Sequence, residues 1–250
     1  MSITRPVVSS IQYLKHRMKY GKAAPHPRRI IYVDPNKITH KLWPHLKDTE
    51  PVSKYKKEIL GGSWDLAPKI NKRWYNPNEI SHDERVLLSL ENYALYNSIR
   101  EHLIEDVPWE DTDWFRYVKN NPGNLKGEYT DIELACKQFE KVDRLFSDMQ
   151  NSGYTKQSDL GELLIYPEYD EITVHIGRDG DLFKAPGGRH RLILAQILGF
   201  EKIPVYVHIR HKKWQKIRLA IRNMNHQSEL NTDARQYLSH PDIISVRNTK

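Results

Sequence analysis

Residues 187–207, GGRHRLILAQILGFEKIPVYV, constrain the fold of this chain more than any other segment. A glycine pair leads directly into an apolar helical pattern, and Gly199 is placed to end that helix. Val205, Val207 and Ile209 then alternate with other residues, which predicts a strand. A turn, a helix and a strand in immediate succession are typical of a helix that packs against a sheet.

The residues upstream of the glycine pair predict a β-hairpin. Residues 172–176, ITVHI, alternate between apolar and polar side chains, which indicates a half-buried strand. Arg178, Asp179 and Gly180 form a turn signal, and a second short strand is expected around 182–184. The hairpin therefore leads into the glycine pair.

The clearest helix of the chain precedes this hairpin. Thr130, followed by Glu133, forms a capping box, in which each side chain satisfies a free backbone N–H group. Gly153 is placed to end the helix. The apolar residues that recur at helical spacing, and that we expect in the core, are Ile132, Cys136, Phe139, Val142, Phe146 and Met149.

The first third of the chain predicts a strand and then little regular structure. Residues 30–33 indicate a strand, and Asp34, Pro35 and Asn36 close it with a turn. Residues 39–78 show no sustained period, and we expect loops and short elements packed by tryptophans.

Three further helices are predicted. Ser81 with Glu84 forms a second capping box, so we expect a helix from Ser81. A short helix is expected around 114–118, and a basic helix over 212–222 carries Trp214 on its apolar side. The apolar side of the helix from Ser81 is expected to consist of Leu88, Leu95, Ile99 and Leu103.

These elements predict an α+β fold in which a small mixed sheet packs against helices. We expect residues 28–250 to form a single domain, with a largely helical, aromatic-rich insertion at about 53–126. Residues 1–27 are expected to be a basic N-terminal tail. The alternative is a short helix with Ile11, Leu14 and Met18 on one side.

Composition limits the compartment and the chemistry. The chain contains no run of eighteen apolar residues and no apolar signal segment, so we expect a cytoplasmic protein without a membrane span. Cys136 is the only cysteine, which excludes intramolecular disulfides and cysteine-based zinc clusters. The net charge of +7 favours an anionic partner such as nucleic acid, nucleotide or acidic lipid.

The glycine pair is the strongest candidate for a binding site. A glycine-rich turn at the start of a helix exposes backbone N–H groups at the positive end of the helix dipole, where phosphate binds. Arg189, His190 and Arg191 add side-chain donors that can grip oxygens in pairs. From the residues alone, a plain turn between a strand and a helix stays open as the alternative.

The segment resembles the Gly-x-x-Arg region of the ParB and sulfiredoxin superfamily, in which a hairpin leads into a Gly-x-[HR]-R turn, a short helix, a glycine and an Ile-Pro-Val strand. The resemblance covers residues 30–33 and 130–209. The matching positions are Gly188, Arg189, His190, Arg191, Ala195, Gly199, Ile203, Pro204 and Val205.

The resemblance implies that the turn binds the phosphates of a nucleoside triphosphate or diphosphate, ATP or CTP, with Mg²⁺. Related proteins include DNA clamps, nuclease-like proteins, sulfiredoxins and kinases of a small metabolite. Sulfinic acid reduction is excluded, because Arg189 stands where sulfiredoxins have their cysteine. Only about forty residues follow Ile209, too few for the DNA-binding and dimerisation regions of a clamp.

The first functional hypothesis is an enzyme, an NTP-dependent phosphotransferase or NTPase. Gly187, Gly188 and Arg189 to Arg191 would bind the phosphates, and Arg191, with His190, would act on the transferred phosphoryl group. Asp179 would hold Mg²⁺ or orient a small polar acceptor, although it also suits a plain turn. The insertion would form the acceptor pocket.

The second hypothesis is a nucleic-acid-binding module or a ParB-like nuclease. The basic N-terminal tail and the Lys212–Arg222 helix would then neutralise backbone phosphates. A structural or partner-binding protein without chemistry is a third alternative.

Other polar residues of the sequence also have simpler interpretations than a functional site. Asp34 and Glu162 are acids near the same sheet edge, and solvated side chains are the simpler interpretation. His208 and His211 would need a third ligand to hold a metal. The acidic cluster Glu110, Asp111 and Asp113 could bind a metal ion or a cationic substrate. The simpler interpretation is that these acids start a helix, where carboxylates complement the helix dipole.

Overall fold

The computed structural model describes residues 4–26, 28–43, 58–71, 85–123, 125, 127–160, 167–224 and 232–247. The strands are β1 (Ile30–Val33), β2 (His40–Trp43), β3 (Glu58–Leu60), β4 (Lys69–Ile70), β5 (Val86–Ser89), β6 (Ile172–Ile176), β7 (Leu182–Lys184) and β8 (Ile203–His211). The helices are α1 (Thr4–Tyr20), α2 (Ala94–Glu105), α3 (Asp113–Asn120), α4 (Ile132–Ser152), α5 (Arg189–Ile197), α6 (Lys212–Asn223), α7 (Thr232–Arg235) and α8 (Pro241–Arg247).

The strands form one mixed sheet in the order β1-β8-β6-β7-β2-β5-β4. The pairs β6–β8, β7–β2 and β5–β4 are parallel, whereas β1–β8, β6–β7 and β2–β5 are antiparallel. β3 pairs in parallel with the last three residues of β8. The predicted α+β class with a small mixed sheet is therefore confirmed.

The middle of the sheet is buried on both faces. Every residue of β6 and β8 is buried, so β6 is not the half-buried strand that its alternating pattern predicts. The main apolar cluster joins these strands to α2, α3, α4 and α5. A smaller cluster comprises Leu42, Trp64, Leu87, Phe183 and Ile209.

A buried ionic network attaches α8 to the sheet. Asp242 is fully buried, and its Oδ1 accepts a hydrogen bond from Arg210 at 2.7 Å. Its Oδ2 accepts one from the indole of Trp214 at 2.9 Å and lies 2.7 Å from Nη1 of Arg218. Burial alone would raise the pKa of Asp242, but the two arginines outweigh burial and hold that pKa far below its usual range. Trp214 is thus a core residue, as its helical spacing indicates.

The best-signalled elements are confirmed at their predicted places. β1 ends at Asp34, whose side chain accepts a hydrogen bond from the backbone N–H of Asn36. The hairpin β6–β7, α5 and β8 follow in the predicted order. α4 ends at Gly153, with φ of 76°, although its N-cap is Asp131 and not Thr130.

Two predictions in the helices are wrong. Leu88 lies in β5, and α2 begins only at Ala94, because residues 86–89 pair with β2 and β4. Ser81 and Glu84 lie outside the described residues. Cys136 is exposed, because Ala135 and Phe139 occupy the buried side of α4.

The insertion contains strands as well as helices, and the N-terminal region forms a helix instead of a tail. Segment 53–126 adds β3, β4 and β5 to the common sheet as well as the helices α2 and α3. Within residues 1–27, the helical alternative applies, since α1 runs from Thr4 to Tyr20. Among the described helices, none has the length and apolar character needed to cross a membrane.

Candidate functional site

The glycine pair between β7 and α5 adopts a conformation that favours glycine at both positions. Gly187 has φ of 98° and Gly188 has φ of 70°. A Cβ atom on Gly188 would lie 2.7 Å from the Cα of Ile172, which is too close for any side chain. The turn therefore packs directly onto the first residue of β6, and α5 starts at a fixed place.

The N-terminus of α5 is available to a ligand. Gly188 is the N-cap residue, and no side chain among the described residues caps the helix there. The first N–H groups of a helix have no partner within it and carry a partial positive charge. An anion placed at the turn would accept these hydrogen bonds.

Two lysines meet beside this turn. Lys41 of β2 and Lys184 of β7 are register partners in a parallel pair, so their side chains leave the same face of the sheet. The ammonium group of Lys184 donates to the carbonyl oxygens of Ala185 and Gly187 and lies 3.5 Å from the oxygen of Thr173. Lys184 thus supports the loop that forms the turn.

The surroundings lower the pKa of both lysines. Burial and the neighbouring Arg189 lower the pKa of Lys41 to about 7. Burial, Lys41 and the two arginines of the turn lower the pKa of Lys184 well below its usual range. A cluster of cations that costs free energy when charged is stabilised by a bound anion, because the anion favours the charged form of each group.

Arg189 adds a third cation on α5. Its guanidinium lies 5.3 Å from the ring centroid of Tyr129 and 4.0 Å from a carboxylate oxygen of Glu128. Its side chain is one-third exposed, and its Nε is buried without a hydrogen-bond partner. Of the three side chains in the Arg-His-Arg triplet, that of Arg189 has the most freedom to reach a ligand.

These groups line a cavity of about 480 Å³. Lys41, Lys184 and Arg189 contribute the positive charge, and Glu128 is the one acid among the lining residues that the structure describes. The aromatic and aliphatic part of the lining, here called the aromatic wall, comes from α2, α4 and the turn before α2. It contains Leu90, Tyr93, Tyr96 and Leu145. The cavity combines a cationic floor with an aromatic wall, which suits a phosphorylated molecule that also carries an apolar ring.

The side chain of His190 is occupied by other contacts. Its ring lies between the hydroxyl of Tyr129, 2.9 Å from Nε2, and the amide of Gln138, 3.3 Å from Nδ1. Burial and the adjacent Arg189 lower the pKa of His190 to about 3, so the ring is neutral at neutral pH. The structure therefore leaves only the backbone of His190 for phosphate.

Arg191 is held by the far side of the turn. Its guanidinium lies 3.5 Å from Glu171, donates to the hydroxyl of Tyr154 at 3.3 Å and donates to the carbonyl oxygen of Asp170. Burial raises the pKa of Glu171, against the effect of its contacts with Gln157, Tyr154 and Arg191. Arg191 still lines the cavity, where it is a fixed positive charge.

The structure does not bring Asp179 to the turn. Asp179 lies in the tip of the β6–β7 hairpin, and Gly187 and Gly188 lie beyond its open end. The intervening strand β7 and the loop after it span about 15 Å at roughly 3.3 Å per residue. Asp179 is exposed, and the expected Mg²⁺ role does not fit its position.

The other candidate residues have structural contacts. Asp34 caps a short 3-10 helix, and His211 caps α6 through Nδ1 while its Nε2 lies 3.0 Å from the oxygen of Gly62. Asp111 and Asp113 stand at the start of short helices. Glu162 lies outside the described residues. Within the described ranges, no group of three potential metal ligands occurs.

Glu128 is the one described acid that lines the cavity, and Mg²⁺ at the turn stays a prediction. The donor set does fit phosphate, because the groups that converge there are cations and backbone N–H groups. Sequence reasoning missed Lys41 and Lys184. Lys184 ends an apolar strand three residues before the glycines, which is a usable signal, but only the pairing of β2 with β7 brings Lys41 beside it.

Comparisons with known proteins found no matching family model, no matching curated protein and no matching solved structure. The resemblance to the ParB and sulfiredoxin superfamily therefore stays a prediction.

Proposed function

We propose that this protein binds the phosphates of a nucleotide at the turn between β7 and α5 and acts on them, as an NTP-dependent phosphotransferase or an NTPase. The observation that carries the proposal is the convergence of Lys41, Lys184, Arg189 and the uncapped start of α5 on one cavity. A single described acid opposes them there. Such an arrangement is costly without an anion.

The geometry favours a phosphate that contacts Lys41, because the ammonium group of Lys184 is already bound to the carbonyl oxygens of Ala185 and Gly187 and contributes its charge. Lys41 and Lys184 stand side by side on neighbouring strands, about 4.8 Å apart along the sheet. The α5 N-terminus and Arg189 provide a second group of donors next to them. The aromatic wall of Tyr93 and Tyr96 supplies a surface on which a nucleobase can stack.

Arg191 would contribute to the chemical step as a preorganised charge. Its contacts with Glu171, Tyr154 and Asp170 fix the guanidinium before any ligand arrives, so no reorganisation is needed when negative charge develops. Glu171 pairs with Arg191, and Glu128 is the one described acid that lines the cavity, so any Mg²⁺ would be bound chiefly by the nucleotide itself. We assign no step to the metal.

The nucleic-acid alternative loses part of its surface. Arg218, in the middle of the basic helix, is 1% exposed and pairs with Asp242, so it is not available to a phosphate backbone. Lys212, Lys213 and Lys216 remain exposed on α6. This face is a smaller candidate site than the sequence suggests.

A thermal-shift series with ATP, CTP, GTP and the diphosphates, with and without Mg²⁺, tests the proposal. A ligand that binds only the native state raises its melting temperature. We expect at least one nucleotide to do so in the wild type, and to raise the melting temperature of Lys41→Met less at pH 6. Phosphate release or transfer from that nucleotide, measured next, separates an enzyme from a binding protein. If DNA stabilises the protein and no nucleotide does, the nucleic-acid alternative is correct.

A further inference from the structure

One side of α1 is fixed by contacts at its C-terminal end. The amide of Gln215 donates to the carbonyl oxygen of Tyr20 at 3.3 Å, and Arg218 donates to that of Ala23 at 3.2 Å. Ala23 and Ala24 are buried. The C-terminal end of α1 and the residues that follow it are therefore anchored to α6.

The outward side of α1 carries exposed apolar residues. Ile11 is 49% exposed, Leu14 59% and Met18 86%. Their spacing of three and four residues places them in one stripe along the helix. Among the described residues, Met18 is the most exposed large apolar side chain. Three exposed apolar residues on successive turns of one helix side form a continuous patch. Single exposed apolar side chains, in contrast, are common on protein surfaces.

Lysines accompany the apolar stripe. Lys15, Lys19 and Lys22 are exposed and follow the same side of the helix and its end. Lys19 also lies 4.9 Å from the ring of Tyr20. No acidic residue occurs among the first 33 residues of the chain. The exposed side thus combines apolar contact with positive charge and contains no group that would repel an anionic surface.

We propose that this α1 face, formed by Ile11, Leu14, Met18, Lys15, Lys19 and Lys22, binds the surface of an anionic lipid bilayer. A helix that lies in the bilayer interface inserts its apolar side chains between the lipids and places its lysines at the anionic headgroups. The chain length of lysine lets its ammonium group reach the headgroups while its carbon atoms stay at the apolar boundary.

Two other occupants fit the observations less well. A nucleic acid backbone would use the lysines but would leave Leu14 and Met18 without a partner. A second copy of the chain would bring the lysines of two α1 helices together, and like charges at an interface are unfavourable. A lipid surface would contact both the apolar side chains and the lysines of the α1 face.

Vesicle co-sedimentation of the full chain tests the proposal. We expect binding to vesicles that contain phosphatidylglycerol, weak binding to pure phosphatidylcholine and a decrease with added salt. The double variant Leu14→Asp, Met18→Asp should bind about tenfold or more weakly. Leu134→Asp is the matched control, because Leu134 is 42% exposed on α4, away from this face. It should bind like the wild type.

Three results would overturn the proposal. One is equal binding of the double variant and the wild type. Another is absence of vesicle binding together with salt-sensitive DNA binding that the double variant retains. The third is a dimer of the wild type that Leu14→Asp converts to a monomer.

An unchanged melting temperature of the variants, expected because the side chains are exposed, shows that the fold is intact. Nucleotide binding at the β7–α5 turn is independent of this result.

Discussion

Replacing Lys41 by methionine gives a prediction that depends on pH, because burial and Arg189 lower the pKa of Lys41 to about 7. Below pH 7 the ammonium group is charged in the empty protein and binds an anion. Above pH 7 it is neutral, and binding must also supply the free energy of protonation. The contribution of Lys41 to affinity therefore decreases as the pH rises.

The size of the effect follows from the charge. A hydrogen bond from a charged donor contributes about 1.5–3 kcal/mol, which corresponds to roughly 10- to 100-fold in affinity. Each pH unit above the pKa costs about 1.4 kcal/mol, or roughly tenfold. We thus expect Lys41→Met to bind about 10- to 100-fold more weakly than the wild type at pH 6, and the two affinities to converge near pH 9.

Calorimetric titration with sulfate measures this ratio, because sulfate keeps a constant double charge over the whole range. Lys184 is present in both proteins, but its pKa depends on the charge of Lys41, so the comparison measures the combined effect of removing Lys41. Lys213→Met is the matched control, since Lys213 is exposed on α6. Equal affinities at pH 6 would refute a contact between Lys41 and the anion. A ratio that stays constant from pH 6 to pH 9 would refute a pKa near 7.

The same lowered pKa affects stability. The native state holds fewer protons than the unfolded state between pH 7 and about pH 10.4, the ordinary pKa of lysine. Stability therefore rises with pH in this window, and the cost of the buried charge is fully present below pH 7. Without ligand at pH 6, we expect Lys41→Met to melt at a higher temperature than the wild type, although it binds anions more weakly.

The remaining predictions concern the turn and the buried network. Gly188→Ala should lower the free energy of unfolding by about 2–4 kcal/mol in urea titrations. A left-handed φ alone costs about 1–2 kcal/mol, and the new Cβ would also collide with Ile172. The control Gly199→Ala has open space around the new Cβ and should show only the cost of the left-handed φ. Arg189→Met should weaken sulfate binding about tenfold at pH 6, where Lys41 is charged in both proteins, and calorimetry would show this. Asp242→Asn should lower the free energy of unfolding by about 3–5 kcal/mol, because two buried arginines lose their counter-charge. The pKa of Asp242 is held far below its usual range, so the stabilisation by this carboxylate should persist to strongly acidic pH in the wild type.

The fold was predictable where local patterns and tertiary structure agree. The hairpin, the glycine turn, α5 and β8 each carry their own signal, and the order of these elements implies a sheet with helices against it. The strand β5 was not predictable as a strand, because the capping box at Ser81 and Glu84 indicates a helix. Its partners β2 and β4 decide its conformation, and pairing between distant strands leaves no local pattern.

The site was predictable in part. Gly188 and Arg189 are visible as a turn before a helix, and the structure places both at the cavity. Lys41 was not visible, because its role depends on the parallel pairing of β2 with β7. Asp179 was assigned to the site because it is close in sequence. An antiparallel hairpin, however, separates its tip from its open end.

A crystal structure of the protein with a bound nucleoside triphosphate analogue would show whether the turn between β7 and α5 binds the phosphates. We expect phosphate oxygens within hydrogen-bonding distance of Lys41 Nζ and of the backbone N–H groups at the start of α5, with the base against Tyr93 or Tyr96. Phosphates bound elsewhere, with the turn empty at saturating nucleotide, would contradict the proposed function.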